Sequence, residues 1–431
     1  MSDIIEKFQL PSRYQEESNI WDDYTALTRE YNPISLGQGF PDFLPLSSIA
    51  NDLVETIQHG DASLHQYTRR SVKQISKGIL EFMYFLQGHP RLVNALANLY
   101  SSLMKHRVDP YHEIVICSGG CATLHTVITG TVDEGDEVIV IEPSFDCYTT
   151  MVRGVGGSLK YIPLRLRETN NVITSADWVL DFQELQNAFS EKTKAIILNT
   201  PHNPFGKVFS LQELTVIANL CKKWNVLCIS DEVYEWLVYE PREHIRIASL
   251  PGMWERCITI GSAGKTFCVT GWKVAWAIGP THIIKNLQNQ LIFNSNTIQQ
   301  EAVGIFLEKE LQNIGTNGSY FKNLQQILET KKSYMVKILR EVGMKPIIPE
   351  GGIFVIADWS PLERKVNLSS EKDVYKDFRF TKWFAKNVRV LGIPVSIFYS
   401  KPSKHQGENF LRFCFIKVSI AKYLSTFQTA L

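Results

Sequence analysis

The sequence predicts an α/β fold: a mostly parallel sheet covered by helices on both faces, followed by a smaller α+β domain. Three observations predict it. Between about residues 110 and 280, short β-branched runs alternate with longer segments of helical period, and runs this apolar suit strands buried on both faces. One intervening segment, "LQELTVIANLCKKW" (211–224), is a clear amphipathic helix. From about residue 325 the alternation gives way to a long helix, an apolar strand, a second helix and another strand.

Taken in order, residues 1–45 read as a loop-rich arm belonging to the small domain, the glycines and prolines of "SLGQGFPDF" (35–43) marking turns. Residues 46–325 form the large domain. Its strands are expected at "EIVIC" (113–117), "EVIVIEP" (137–143), "KAIILNT" (194–200), "NVLCISD" (225–231), "CITIG" (257–261) and "KVAWAIGP" (273–280). Residues 326–431 form most of the small domain, with strands expected in "GGIFVIADW" (351–359) and "FLRFCFIK" (410–417).

The 431 residues carry 45 basic and 44 acidic side chains, a net charge of +1. No global field draws in nucleic acid or an anionic membrane surface, so the expected partner is a small molecule. No apolar run approaches the roughly 20 residues that span a bilayer. The start, "MSDIIEKFQL", lacks the features of a signal or transit peptide, so a cytosolic location is expected, with a mitochondrial one left open. The eight cysteines are scattered singly without zinc-site spacing. They read as buried free thiols in a reducing compartment, and no metal is expected.

In sheets of this kind, ligands bind at the carboxyl ends of the strands. There the chain offers "SGGCA", "EPSFDCY", "NTPHNPFGK", "SDEVY" and "GSAGK". In "GSAGKTFCVTGWK" (261–273), Lys265 and Lys273 have no acidic partners at helical spacing, so neither reads as an ordinary surface pair. Backbone amides after "SGG", the Ser262 hydroxyl and the Lys273 ammonium make a phosphate cradle. Asp231, ending a buried strand, needs a cation to offset its burial; a protonated pyridine nitrogen about 4 Å away supplies on the order of 4 kcal/mol. Asn203 and Tyr234 can donate to a phenolate oxygen, and Phe145 can stack on a ring. A ring with a phosphate, a basic nitrogen and a phenolic oxygen is pyridoxal phosphate, and Lys265 is the lysine left to form the Schiff base.

"SLGQGFPDF", "VDEGDEVI", "SDEVYEW", "SLPGMWER", "IGSAGKTF", "IPVSIFYS" and "RFCFIK" together resemble the kynurenine aminotransferases, also known as cysteine-S-conjugate β-lyases or glutamine transaminase K. The likeness runs over about residues 8–418. It implies a fold-type I, pyridoxal 5'-phosphate-dependent enzyme with a seven-stranded sheet. The implied activity is amino transfer from kynurenine, glutamine and other aromatic or bulky neutral amino acids to 2-oxo acids, with β-elimination of cysteine S-conjugates beside it. A methionine or aromatic aminotransferase, or an inactive cofactor-binding variant, are the alternatives.

Carried over by position, the resemblance makes Lys265, Asp231 and Tyr234 catalytic. Gly120, Cys121, Phe145, Asn203, Ser262 and Lys273 join them around the cofactor. It brings Tyr67 to the phosphate of a neighbouring subunit, implying a homodimer with shared active sites. Arg412 would take the substrate carboxylate as a fork, helped by Asn199 or Asn203 and the Gly39 amide. Trp21, Phe293 and Phe354 would line the side-chain pocket, although aromatic residues such as Trp21 and Phe354 also read as plain core. The family usually has an aromatic residue in place of Cys121 and a tyrosine in place of Ile353. It also lacks the stretch Ser71–Gln87 and ends in a charged helix where this chain has "KVSIAKYLSTFQTAL". Codons for Val-Ser after Lys417 can spell a splice donor, so both segments read as translated introns, with a tolerated surface loop as the alternative for the first.

Overall fold

The structure is a computed structural model that describes residues 20–66, 88–167, 172–291 and 295–417. The stretch Ser71–Gln87, the tail from Val418, Tyr67 and Phe293 all lie outside the described residues.

The apolar runs become strands β1 (Ile114–Cys117), β2 (Glu137–Glu142), β3 (Ser158–Pro163), β4 (Thr193–Asn199), β5 (Leu227–Asp231), β6 (Cys257–Ser262) and β7 (Ala275–Ile278). They form one seven-stranded sheet in the order β1-β7-β6-β5-β4-β2-β3. All its pairs are parallel except those of β7, which runs antiparallel to β1 and β6. Successive side chains of a strand point to opposite faces, and each face has its own core. Val115, Val138, Val140, Ile197, Ile229 and Ile260 pack on one side with Leu124, Ile128 and Leu287. Ile116, Ile139, Ile141, Ile196, Leu198 and Trp276 pack on the other. Sequence reading missed β3 because it is an edge strand whose first four residues stay partly exposed, so the apolar run that marks its neighbours is absent.

Helices flank this sheet and the smaller one that follows: α1 (Ile20–Tyr31), α2 (Ser47–His59), α3 (Pro90–Met104), α4 (Gly120–Thr131), α5 (Cys147–Gly154), α6 (Leu211–Trp224), α7 (Thr281–Gln290), α8 (Thr297–Leu311), α9 (Tyr320–Glu341) and α10 (Lys376–Asn387). The start of α6 shows why the sequence places it there. The Ser210 side chain accepts from the Glu213 amide while the Glu213 carboxylate accepts from the Ser210 amide, and Asn225 closes the other end in the left-handed conformation. The loop-rich reading of residues 1–45 is corrected by α1, which buries Ile20, Tyr24 and Leu27 on one face. Its polar residues outnumber that apolar stripe and hide a three-turn helix.

A second, antiparallel sheet contains β8 (Lys345–Ile347), β9 (Phe354–Asp358), β10 (Ile393–Pro394) and β11 (Phe410–Cys414), in the order β8-β9-β11-β10. Its core joins Val355, Ala357 and Phe413 to Leu328, Met335 and Leu339 of α9 and to Phe380 and Phe384 of α10. The arm is tied to this region, with Ile34 and Ser35 pairing in parallel with Val390 and Leu391. The register of the large sheet sets Asn199 of β4 beside Asp231 of β5, which aligns polar strand ends along one edge. None of the described helices is long and apolar enough to cross a membrane.

Candidate active site

A cavity of about 360 Å³ opens at that edge, bounded by the ends of β1, β4, β5 and β6, the arm and β11. One end is built for an anion. After β1 the chain turns through Gly119, at φ 94°, into α4, whose first turn has no side-chain cap. Only glycine suits Gly119, because a Cβ there would lie 2.9 Å from Lys273 Nζ. The amides of Gly120 and Cys121, the Ser262 hydroxyl and the Lys273 ammonium therefore share this end, where the positive helix terminus favours negative charge.

Asp231 sits deeper. Tyr148 donates to its Oδ2 at 2.6 Å and the Val233 amide to its Oδ1 at 3.3 Å. Burial pushes its carboxyl up to about 6, against the opposing pull of the Tyr148 bond. The Asn199 side chain holds the Asp231 carbonyl at 2.9 Å. Lys265 Nζ donates to the Gly39 carbonyl at 2.8 Å and lies 5.6 Å from the centre of the Tyr234 ring. Burial, with the Arg412 charge adding to it, lowers the Lys265 pKa and favours the neutral amine. Burial raises the Tyr234 phenol, which keeps it a hydrogen-bond donor. Phe145 meets Tyr148 edge to face at 5.7 Å.

The third part surrounds Arg412 on β11. Its guanidinium lies 4.0 Å from the Phe354 ring centre and 4.7 Å from that of Phe398. Nη1 donates to Asn203 Oδ1 at 2.8 Å and Nη2 to the Gly37 carbonyl at 2.9 Å, while the buried Nε has no hydrogen-bond partner among the described residues. Both acceptors are neutral. Of the two candidate asparagines, Asn203 touches Arg412, and Asn199 fixes it by accepting from the Asn203 amide at 2.7 Å. Gly39 is required by close approach, since a Cβ there would lie 2.4 Å from Phe354 Cζ. Trp21 also lines the cavity, its Nε1 donating to Asp146 Oδ2 at 3.1 Å.

The profile of aminotransferase class I and II matches residues 32–424. The chain belongs to that family. This aminotransferase is 45% identical over 405 residues to the Homo sapiens protein named kynurenine–oxoglutarate transaminase 3, covering 93% of the chain and 85% of the relative. Its fold is close to that of Bna3p from Saccharomyces cerevisiae, with a TM-score of 0.86, 29% identity and 98% and 100% of the two chains covered. YbdL from Escherichia coli, whose structure is titled as a methionine aminotransferase, gives a TM-score of 0.81 at 26% identity, with 98% and 99% covered.

The family's cofactor is pyridoxal 5'-phosphate, and the aminotransferase's residues fit it. The uncapped α4 terminus and Lys273 suit a phosphate, and the buried Asp231 makes no ion pair among the described residues, its carboxylate meeting Tyr148 and the Val233 amide. Lys265, half-buried, lines the same cavity as both. All fourteen described residues singled out from the sequence line this one cavity.

Sequence reading missed Tyr148, Asp146, Gln38, Phe40, Thr270 and Phe398, which line it too. Tyr148 had a faint signal, as the residue after Cys147 in "DCY", but its bond to Asp231 spans 83 positions and no local pattern announces it. The expectation of uniformly buried thiols is also corrected. Cys121 is exposed and Cys147 half-buried, because both stand at helix starts beside the cavity; the other six are buried.

Proposed function

We propose that this aminotransferase moves the amino group of kynurenine, and of other aromatic or bulky neutral amino acids including glutamine, to a 2-oxo acid. The observation that carries this is the 45% identity, over 93% of the chain, to a kynurenine–oxoglutarate transaminase. The cavity adds physical support, since Trp21, Phe354 and Phe398 give aromatic walls around a single buried guanidinium. A methionine preference has only the 26% likeness to YbdL behind it.

When bound, pyridoxal phosphate supplies an aromatic ring that takes up the electron pair released at the substrate's α-carbon. Arg412 binds the α-carboxylate, exchanging neutral oxygen partners for charged ones, a change worth about 1.5–3 kcal/mol for hydrogen bonds to charged groups. Lys265 Nζ, shifted toward the neutral amine by burial, takes the α-proton and redelivers it on the opposite side of the transfer. Asp231, steadied by Tyr148 and Val233, would hold a proton on the cofactor's ring nitrogen. Tyr234 and the Asn203 side-chain amide would donate to its phenolic oxygen and Phe145 would pack on its ring. The Gly39 amide would assist Arg412. If the substrate carries a good leaving group at its β-carbon, the same proton removal expels it.

The working unit is a homodimer with shared active sites, in which Tyr67 would reach the phosphate of the neighbouring subunit and Phe293 would line the side-chain pocket. The large unit spans residues 46–325 and the small one the arm and 326–431, in the cytosol, where eight free thiols are at home. The test is a panel of amino donors with added pyridoxal phosphate and a 2-oxo acid. Kynurenine, glutamine and the aromatic amino acids should be used well and aspartate poorly. A clear preference for methionine over kynurenine, or cofactor binding without transfer, would sink the reading.

A further inference from the structure

Five charged side chains line the cavity: Asp146, Asp231, Lys265, Lys273 and Arg412. Four have a task in the reading given above. Lys273 serves the phosphate, Asp231 the ring nitrogen, Arg412 the α-carboxylate, and Lys265 moves the proton. Asp146 has none.

Its position is nonetheless closely held. Asp146 follows Phe145, the residue assigned to the cofactor's ring, and stands at the N-cap of α5, where its Oδ1 accepts from the Cys147 amide at 3.1 Å. Its Oδ2 accepts from the Trp21 indole at 3.1 Å. Both donors are neutral, and each carboxylate oxygen has room for one more hydrogen. Half-buried at the cavity wall, the carboxylate therefore presents an uncompensated negative charge beside Trp21, the residue expected to meet the substrate's side chain. Burial lowers the Arg412 pKa and the Asp146 charge is among those that oppose it, so the charge is felt where the α-carboxylate docks. The lining cations offer no relief. All three among the described residues already serve the phosphate, the proton or the α-carboxylate.

We propose that Asp146 is a specificity-determining residue, accepting a hydrogen bond from a neutral substrate side chain that carries an N–H and repelling one that carries a carboxylate. The proposal rests on the reading that Arg412 takes the α-carboxylate, and deepens it by naming the group that sorts side chains. The aromatic amine of kynurenine and the carboxamide of glutamine are donors. Glutamate and aspartate bring a second carboxylate to a site whose fixed charge has the same sign, and a built-in repulsion of this kind separates substrates that attraction alone would not. The 2-oxo acid enters the same cavity in the other half-reaction, so the same rule sorts the acceptor.

Glutamine and glutamate have nearly the same shape and differ by one charge, so the ratio of their kcat/KM values in the holoenzyme reads the effect directly. In the wild type glutamine should lead. In Asp146→Asn and Asp146→Ser, which both keep a side chain able to cap α5, that lead should shrink by at least about tenfold. Asp146→Glu, which keeps the charge, should recover part of it. The 2-oxoglutarate half-reaction, set against that of its side-chain amide, should shift in the same direction. If Asp146 served only as a cap and a partner for Trp21, its loss would slow both substrates together and leave the ratio where it was. An unchanged ratio in both neutral variants therefore overturns the proposal. So does a wild type that takes glutamate as readily as glutamine. Poor transfer from kynurenine by a wild type whose ratio shifts as stated would refute the substrate reading and uphold the role of Asp146.

Discussion

The cavity and the polar network behind it bury charge in opposite ways. In the network, Arg246 pairs with Glu235 and reaches Glu232 at 4.0 Å. His244 meets Glu232 at 2.7 Å, Ser230 donates to Glu232 at 2.8 Å, and Tyr100 bonds to Glu235. In the cavity, the hydrogen-bond partners among the described residues are neutral oxygens for Arg412, a tyrosine and an amide for Asp231, and a carbonyl for Lys265. The pKa directions follow. Burial pulls Arg246 down, but Glu235, Glu232 and Tyr100 together more than offset it and raise it, whereas burial lowers Arg412. A buried charge given its counter-ion by the fold holds the fold together, and one denied it is left to meet a ligand.

Breaking the cavity should cost activity, and breaking the network should cost stability. The largest effect is expected for Lys265→Ala, with transfer down by about 10⁴-fold or more and no loss of thermal stability, since a buried ammonium is removed. Near wild-type turnover would refute the role of Lys265. Asp231→Asn should lower kcat by about 10²–10³-fold; a cost under about tenfold, roughly 1.4 kcal/mol, would withdraw the assignment.

Arg246→Ala tests the other side. It strands two buried carboxylates and should destabilise the fold by about 3–5 kcal/mol in denaturant titrations, while the folded fraction keeps kcat within a few-fold. A kcat loss on the scale of Lys265→Ala would erase the distinction between the regions. Arg412→Ala should raise KM for amino acid and oxo acid alike, by about 10–100-fold, with little change in stability. A rise for only one half-reaction would count against a shared carboxylate fork.

The last effect sharpens the comparison through pH. The native carboxyl of Asp231 is raised from 3.8 to about 6, so between these values the folded cofactor-free protein binds more protons than the unfolded chain. Stability therefore falls as pH rises through that window, by about 3 kcal/mol. Asp377, raised by burial to about 7, adds a fall of the same sign, so the quantity to measure is the difference between wild type and Asp231→Asn. That difference should vanish when pyridoxal phosphate is bound; a cofactor-free difference independent of pH would contradict the burial argument.

Much of this was legible in the sequence for a physical reason. Strands buried on both faces must be apolar throughout, so β1, β2 and β4–β7 stood out. Residues such as Asp231, Lys265 and Ser262 sit where such runs end. What stayed hidden depended on tertiary contact or on mixed exposure. Edge strand β3 and helix α1 lack long apolar patterns. Tyr148 and Asp146 gain meaning only through Asp231 and Trp21.

The arm touches both halves of the site through one short segment. The Gly37 carbonyl accepts from Arg412 and the Gly39 carbonyl from Lys265, and Leu36 accepts from the Cys414 amide on β11. The cation on the small sheet and the amine on the large one are thus gauged against the same stretch of backbone. A sideways step of residues 36–39 shifts the hydrogen bonds of both together. The guanidinium and the amine, held on different sheets, share one anchor: two carbonyls with a single residue between them.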